Sequence, residues 1–160
     1  MSRDTDFTAA ASALGLSFDG EIRLGGIYAP VVRDGNTLYV SGQVPRVGEV
    51  VAVTGRAGAD VPLDEAQRAA KICVLRGLAL LRRALGSLDA VRAIPKMNVY
   101  VQCSEHFTQH SEVGDAASAL LHAIFGEAGA HARTSIGVYQ LPKDATVEID
   151  LVACALEGRT

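Results

Sequence analysis

The chain has 160 residues, 49% of them apolar, and a formal net charge of −3 at pH 7. That length accommodates one domain with a sizeable core and leaves little room for two. Both charge signs are interspersed and no Lys/Arg run occurs, which argues against a phosphate-backbone binder and so against a nucleic-acid partner.

Tryptophan is absent and aromatics are scarce, so Val, Leu, Ile and Ala must fill the core. Cys73, Cys103 and Cys154 are widely spaced, lie in apolar segments and form no CxxC. They read as buried, reduced thiols of a cytosolic protein. Residues 1–18 carry early acidic residues and no continuous apolar run, unlike a secretory signal. No apolar stretch approaches the ~18 residues of a membrane span. The expectation is a soluble, cytoplasmic protein.

In chain order, residues 5–16 suit a short helix, weakened by Gly15. The segment 1–20 is read as an N-terminal extension to a single domain over 21–160. Gly20 and Gly25-Gly26 bracket a short strand around Ile22, and Pro30 favours extended backbone over 28–32. Asp34-Gly35-Asn36, between VV and TLYVSG, predicts a β-hairpin. The stretch 46–60 is glycine-containing and reads as a loop with a short strand at 50–53.

Pro62, Asp64 and Glu65 then open a helix over 62–85. Ala66, Ala70, Cys73, Gly77, Leu80 and Ala84 recur at helical spacing, while Arg68, Lys71, Arg76, Arg82 and Arg83 mostly fall on other faces. Gly86 is the stop signal. Residues 88–93 read as a connector, 97–103 as a strand and 104–111 as a polar loop. Val113, Ala117, Leu121 and Phe125 mark a second helix ending near Gly126 or Gly129. Two strands, 134–140 and 146–156, close the chain around LPKDA.

The predicted class is α+β: a mixed β-sheet with two main helices packed on one face. The last strand is partly apolar on both faces, which implies burial on both. Two helices cover one face, so a second subunit is expected on the other.

No phosphate-loop, dinucleotide, zinc-protease or nucleophile-elbow motif occurs. The four histidines make no metal set. Arg133 follows the small-residue turn GEAGAHA and precedes a strand, where a ligand can reach its guanidinium. An Arg fork suits a carboxylate, although a rim ion pair is the commoner local role. Glu148 sits in a β-rich strand and must be solvated, paired or functional; as a general base it would take a proton from water. Asp150 shares its parity and competes for the role. Tyr28 is placed either to wall a pocket or to pack on the sheet. Gly42, in Ser41-Gly42-Gln43, permits close approach of a ligand or another backbone, although a plain strand terminus is the commoner reading.

YVSGQVP at 39–45 and ARTSIGVYQLPKDATVEIDLVA at 132–153 resemble the Rid family, the YjgF-type reactive-intermediate deaminases also called endoribonuclease L-PSP. The resemblance spans about residues 25–156. It implies a fold like Bacillus-type chorismate mutase, a homotrimer with clefts between subunits, and no metal or organic cofactor. It further implies hydrolysis of 2-imino or enamino acids to 2-oxo acids and ammonia. Arg133 would hold the substrate carboxylate and Glu148 would position the attacking water. Tyr28 would line the cleft, and Gly42 and Ser135 would contribute backbone contacts, with the Ser135 hydroxyl as a further contact. Asp115 is taken as the counterpart of the family's cleft asparagine, and Ser135 stands where a thiol is common. The chain looks like a longer branch of the family. A non-catalytic small-carboxylate-binding protein is the alternative, and an endoribonuclease is a weaker third.

Overall fold

The computed structural model describes residues 1–158. Helix α1 (Arg3–Ala13) starts where the Ser2 side chain accepts the Thr5 N–H, a common N-cap. Its Phe7 and Ala11 are buried in the same core as the rest of the chain, and Arg82 lies over the Phe7 ring. The expected strand around Ile22 does not form. Ile22 is buried, but residues 18–30 run as an irregular strap tied to the long helix through side chains. Arg83 there bonds the carbonyls of Phe18 and Gly20.

Strands β1 (Val31–Asp34) and β2 (Thr37–Gln43) form the predicted hairpin, joined by Gly35-Asn36 with Gly35 in the left-handed region. A small hairpin, β3 (Arg46–Val47) and β4 (Val50–Val51), follows. Helix α2 (Leu63–Leu85) matches its predicted span within a residue. Gly86, at φ +83°, closes it by donating to the Arg82 carbonyl. Strand β5 (Val91–Gln102) begins inside the expected connector, and helix α3 (His110–Phe125) begins inside the expected loop. Strands β6 (Ala132–Val138) and β7 (Val147–Ala155) close the chain.

The main sheet has the order β1-β2-β7-β5-β6. β5 and β6 are parallel and every other pair is antiparallel. β5, α3 and β6 thus form a β-α-β unit, since a parallel pair needs a crossover rather than a turn. The consecutive strands β6 and β7 are not neighbours, because β5 lies between them.

Both long helices cover one face. Leu38, Val40, Met97, Val99, Val101, Ile149 and Leu151 point there and are buried. Among the described residues, no element covers the other face. Val32, Tyr39 and Ile136 are exposed on it, and Tyr100, Val152 and Cys154 are half-buried. Cys73 is the only fully buried thiol, so the expectation of three buried cysteines holds for one of them. Among the described residues, no helix is long and apolar enough to cross a membrane.

Candidate functional site

The first part of the site grows from an irregularity in β2. Val40 is opposite Leu151 and Gln43 is opposite Ile149, so β2 holds one extra residue there. This β-bulge makes Gln43 the next residue after Val40 to turn toward the helices, where it is buried. Gly42 is left beside Glu148 of β7. A Cβ on Gly42 would lie 2.2 Å from Glu148 Oε1, so only glycine lets that carboxylate lie across the strand.

Glu148 is half-buried and has no hydrogen-bond partner among the described residues. Burial, reinforced by the Asp150 charge, raises its carboxyl above the usual range. Asp150, the competing candidate, accepts a hydrogen bond from Asn98 Nδ2 at 2.8 Å.

The strap brings Tyr28 to the same place. Ser41 Oγ donates to the Ala29 carbonyl (2.7 Å), and the Ser41 N–H donates to the Pro30 carbonyl (3.0 Å). The Tyr28 hydroxyl accepts from the Gly25 N–H at 3.3 Å. Tyr28, Gly42 and Glu148 line one pocket of about 420 Å³, together with Arg46, Arg76 and Lys143. That volume falls in the range of small-molecule sites.

Arg133, Ser135 and Asp115 gather elsewhere, between β6 and α3 on the helix-covered side. Arg133 Nη1 donates to Asp115 Oδ1 (2.8 Å) and to Ser118 Oγ (2.9 Å), and Nη2 donates to the Ser111 carbonyl (3.3 Å). His131 supports this arrangement. Its Nδ1 donates to the Gly129 carbonyl (2.6 Å), so in the neutral ring Nε2 accepts from Ser118 at 2.9 Å. Gly114 makes room for the pair: a Cβ there would lie 2.7 Å from Ser135 Oγ and 3.1 Å from Arg133 Cζ. Ser135 Oγ is buried and makes no hydrogen bond among the described residues.

The six residues singled out from sequence therefore fall into two groups of three. Sequence reasoning passed over Arg76 and Gln43 in the pocket and over Ser118 and His131 behind Arg133. SGQ was visible as a strand end, but its bulge had no local signal. Arg76 looked like a polar-face residue of an amphipathic helix. His110 Nε2 lies 3.4 Å from Cys103 Sγ, and His106 pairs with Glu105 at the surface. No three His, Cys, Asp or Glu side chains come together as a metal-holding group among the described residues.

Protein TCP17 of Trypanosoma cruzi is 43% identical over 124 residues, which cover 77% of this chain and 78% of that protein. A 2-iminobutanoate/2-iminopropanoate deaminase of Dermatophagoides farinae is 28% identical over 130 residues, covering 79% and 84%. The crystal structure of an Agrobacterium tumefaciens protein of unknown function superposes with a TM-score of 0.85 at 36% identity, covering 96% of this chain and 94% of that one. Residues 9–155 match the family described as "YjgF/chorismate mutase-like, putative endoribonuclease". The chain belongs to this YjgF/Rid family.

Proposed function

We propose that the protein hydrolyses reactive 2-imino or enamino acids to 2-oxo acids and ammonia, at sites shared between subunits of a homotrimer. The observation that carries the reading is the split just described. Tyr28, Gly42 and Glu148 line the pocket, while Arg133 with Ser135 and Asp115 presents a carboxylate-binding guanidinium beside the edge strand β6. A neighbouring subunit's β6–α3 edge, set against the pocket, would complete the site. The uncovered sheet face, with Val32, Tyr39 and Ile136 exposed, supplies apolar surface for that assembly.

In this mechanism Arg133 pairs with the substrate carboxylate through its planar fork, and the unengaged Ser135 hydroxyl donates beside it. Glu148 accepts a proton from a water whose oxygen bonds to the imine carbon. With the substrate as its iminium, this addition leaves a neutral carbinolamine; Glu148 returns the proton to its nitrogen, the C–N bond breaks to release ammonia, and the hydroxyl proton passes to solvent as the 2-oxo group forms. One water enters and one ammonia leaves, so no oxidant or reductant is required. The raised Glu148 carboxyl brings its proton affinity nearer to neutrality, which suits a group that both takes and gives a proton. Imine hydrolysis is already facile, so positioning and charge complementarity are the contributions asked of these residues. Similarity to the mite imine deaminase supports the reading.

The test is the decay of 2-iminopropanoate or 2-iminobutanoate generated in situ by an amino-acid oxidase. Acceleration over buffer that disappears in Arg133→Ala is the expected result. No acceleration with any imino acid tried would overturn it. A 2-oxo acid that raises the melting temperature without turnover would instead indicate a carboxylate-binding protein.

A further inference from the structure

The pocket that holds Glu148 is lined by four cationic side chains, Arg23, Arg46, Arg76 and Lys143, against that one carboxylate. Arg23 is matched by Glu49 at 2.8 Å, out in solvent. Arg76 has no such match. It is only 4% exposed, yet all three of its hydrogen bonds go to neutral acceptors: Nε to Gln43 Oε1 (3.3 Å), Nη1 to the Arg46 carbonyl (2.8 Å) and Nη2 to the Arg23 carbonyl (3.2 Å). No carboxylate among the described residues lies within ion-pair distance of it. A guanidinium carries five N–H groups, so two remain unengaged in a wall of the pocket.

A buried cation without a counter-charge is costly. Its desolvation is felt as a lowered proton affinity, opposed by Cys73 and Tyr28 and reinforced by the adjacent Arg46 charge. The three acceptors come from the strap, the β2 end and the start of β3. They pin the fork in place but leave its charge unmatched. An anion entering the pocket would supply both the missing charge and acceptors for the free N–H groups.

We infer that the pocket selects substrates with a second anionic group, namely the 2-imino acids derived from acidic amino acids, with Arg76 binding the distal carboxylate. The inference rests on the function proposed above, where Arg133 takes the carboxylate next to the reacting carbon and leaves Arg76 for the other end. Arg46 and Lys143 add long-range attraction for a dianion. A merely structural Arg76, stapling the strap to α2, would affect every substrate alike.

The experiment measures kcat/KM for 2-iminoglutarate and 2-iminobutanoate in the wild type and in Arg76→Met. The wild type should prefer the diacid by about tenfold or more, and the variant should lose most of that preference. A wild type without preference overturns the inference, as does a variant that loses both activities in equal proportion. If no imine is hydrolysed, the deaminase reading fails and the specificity is read by binding. 2-Oxoglutarate should then raise the wild-type melting temperature more than 2-oxobutanoate, and this difference should vanish in Arg76→Lys or Arg76→Met. Equal shifts from the two acids in the wild type overturn the inference without recourse to any variant.

Discussion

Arg133 and Glu148 point to opposite faces of one sheet. Arg133 is in register with Met97, whose side chain is buried under the helices, whereas Glu148 is in register with Tyr100, one step out of phase with the buried Val99 and Val101. The two side chains cannot close on one small ligand within a chain, so their cooperation demands a second copy. Co-expressing Arg133→Ala with Glu148→Gln tests this directly. Each variant alone should be inactive. If the proposed trimer forms, random mixing should regain about a quarter of the wild-type sites, because each proposed shared site would draw one residue from each of two subunits. Mixtures as inactive as their parents would rule out shared sites.

Gly42 should matter for chemistry more than for folding. Its backbone lies outside the left-handed region, so alanine is tolerated there conformationally, but the added Cβ meets the Glu148 carboxylate. Gly42→Ala should displace that carboxylate and lower kcat by about 100-fold, with a smaller change in KM. A circular-dichroism spectrum and melting curve near those of the wild type should accompany the loss.

The raised Glu148 carboxyl has a defined pH signature. Its neutral form is favoured in the folded state, so the associated stability is present below the ordinary glutamate range. That stability is lost as pH rises through the raised folded value. Glu148→Gln should therefore melt higher than the wild type at neutral and alkaline pH, and the gain should shrink to nothing in acid. In activity, the acid limb of kcat/KM should sit above the ordinary glutamate range. Melting temperatures and rates across a pH series check both.

Asp115 pairs with Arg133, and in the proposed mechanism a substrate carboxylate would have to share or displace it. Asp115→Asn keeps an acceptor and removes the competing charge. Affinity for 2-oxobutanoate should tighten about fivefold by calorimetry. Stability should change by less than ~1 kcal/mol, because Asp115 is largely exposed.

Much of the architecture was legible before any coordinates. The 3.6-residue spacing from Ala66 to Ala84, with Pro62 before and Gly86 after, marked α2 almost to the residue. Asp34-Gly35-Asn36 marked the hairpin, and the alternation in β7 marked both its buried face and its apolar outer one. These are local signals: backbone preference and side-chain period act over a few residues, so they can be read from a few residues. Arg133 and Glu148 stood out as candidates, Arg133 through the family resemblance rather than through its local setting.

What only the tertiary structure decided was which of those residues meet. The insertion of β5 between β6 and β7, the extra residue in β2 and the burial of Arg76 under the strap all depend on packing between segments distant in sequence. Arg76 has the local pattern of a solvent-facing helix residue, and nothing near it in the chain announces that residues 23 and 46 will cover it. Taken alone, the sequence determined most of the elements and singled out Arg133 and Glu148 as candidates. The strand order decided that they face opposite ways, because a strand's facing depends on its register with neighbours that lie far away in the chain.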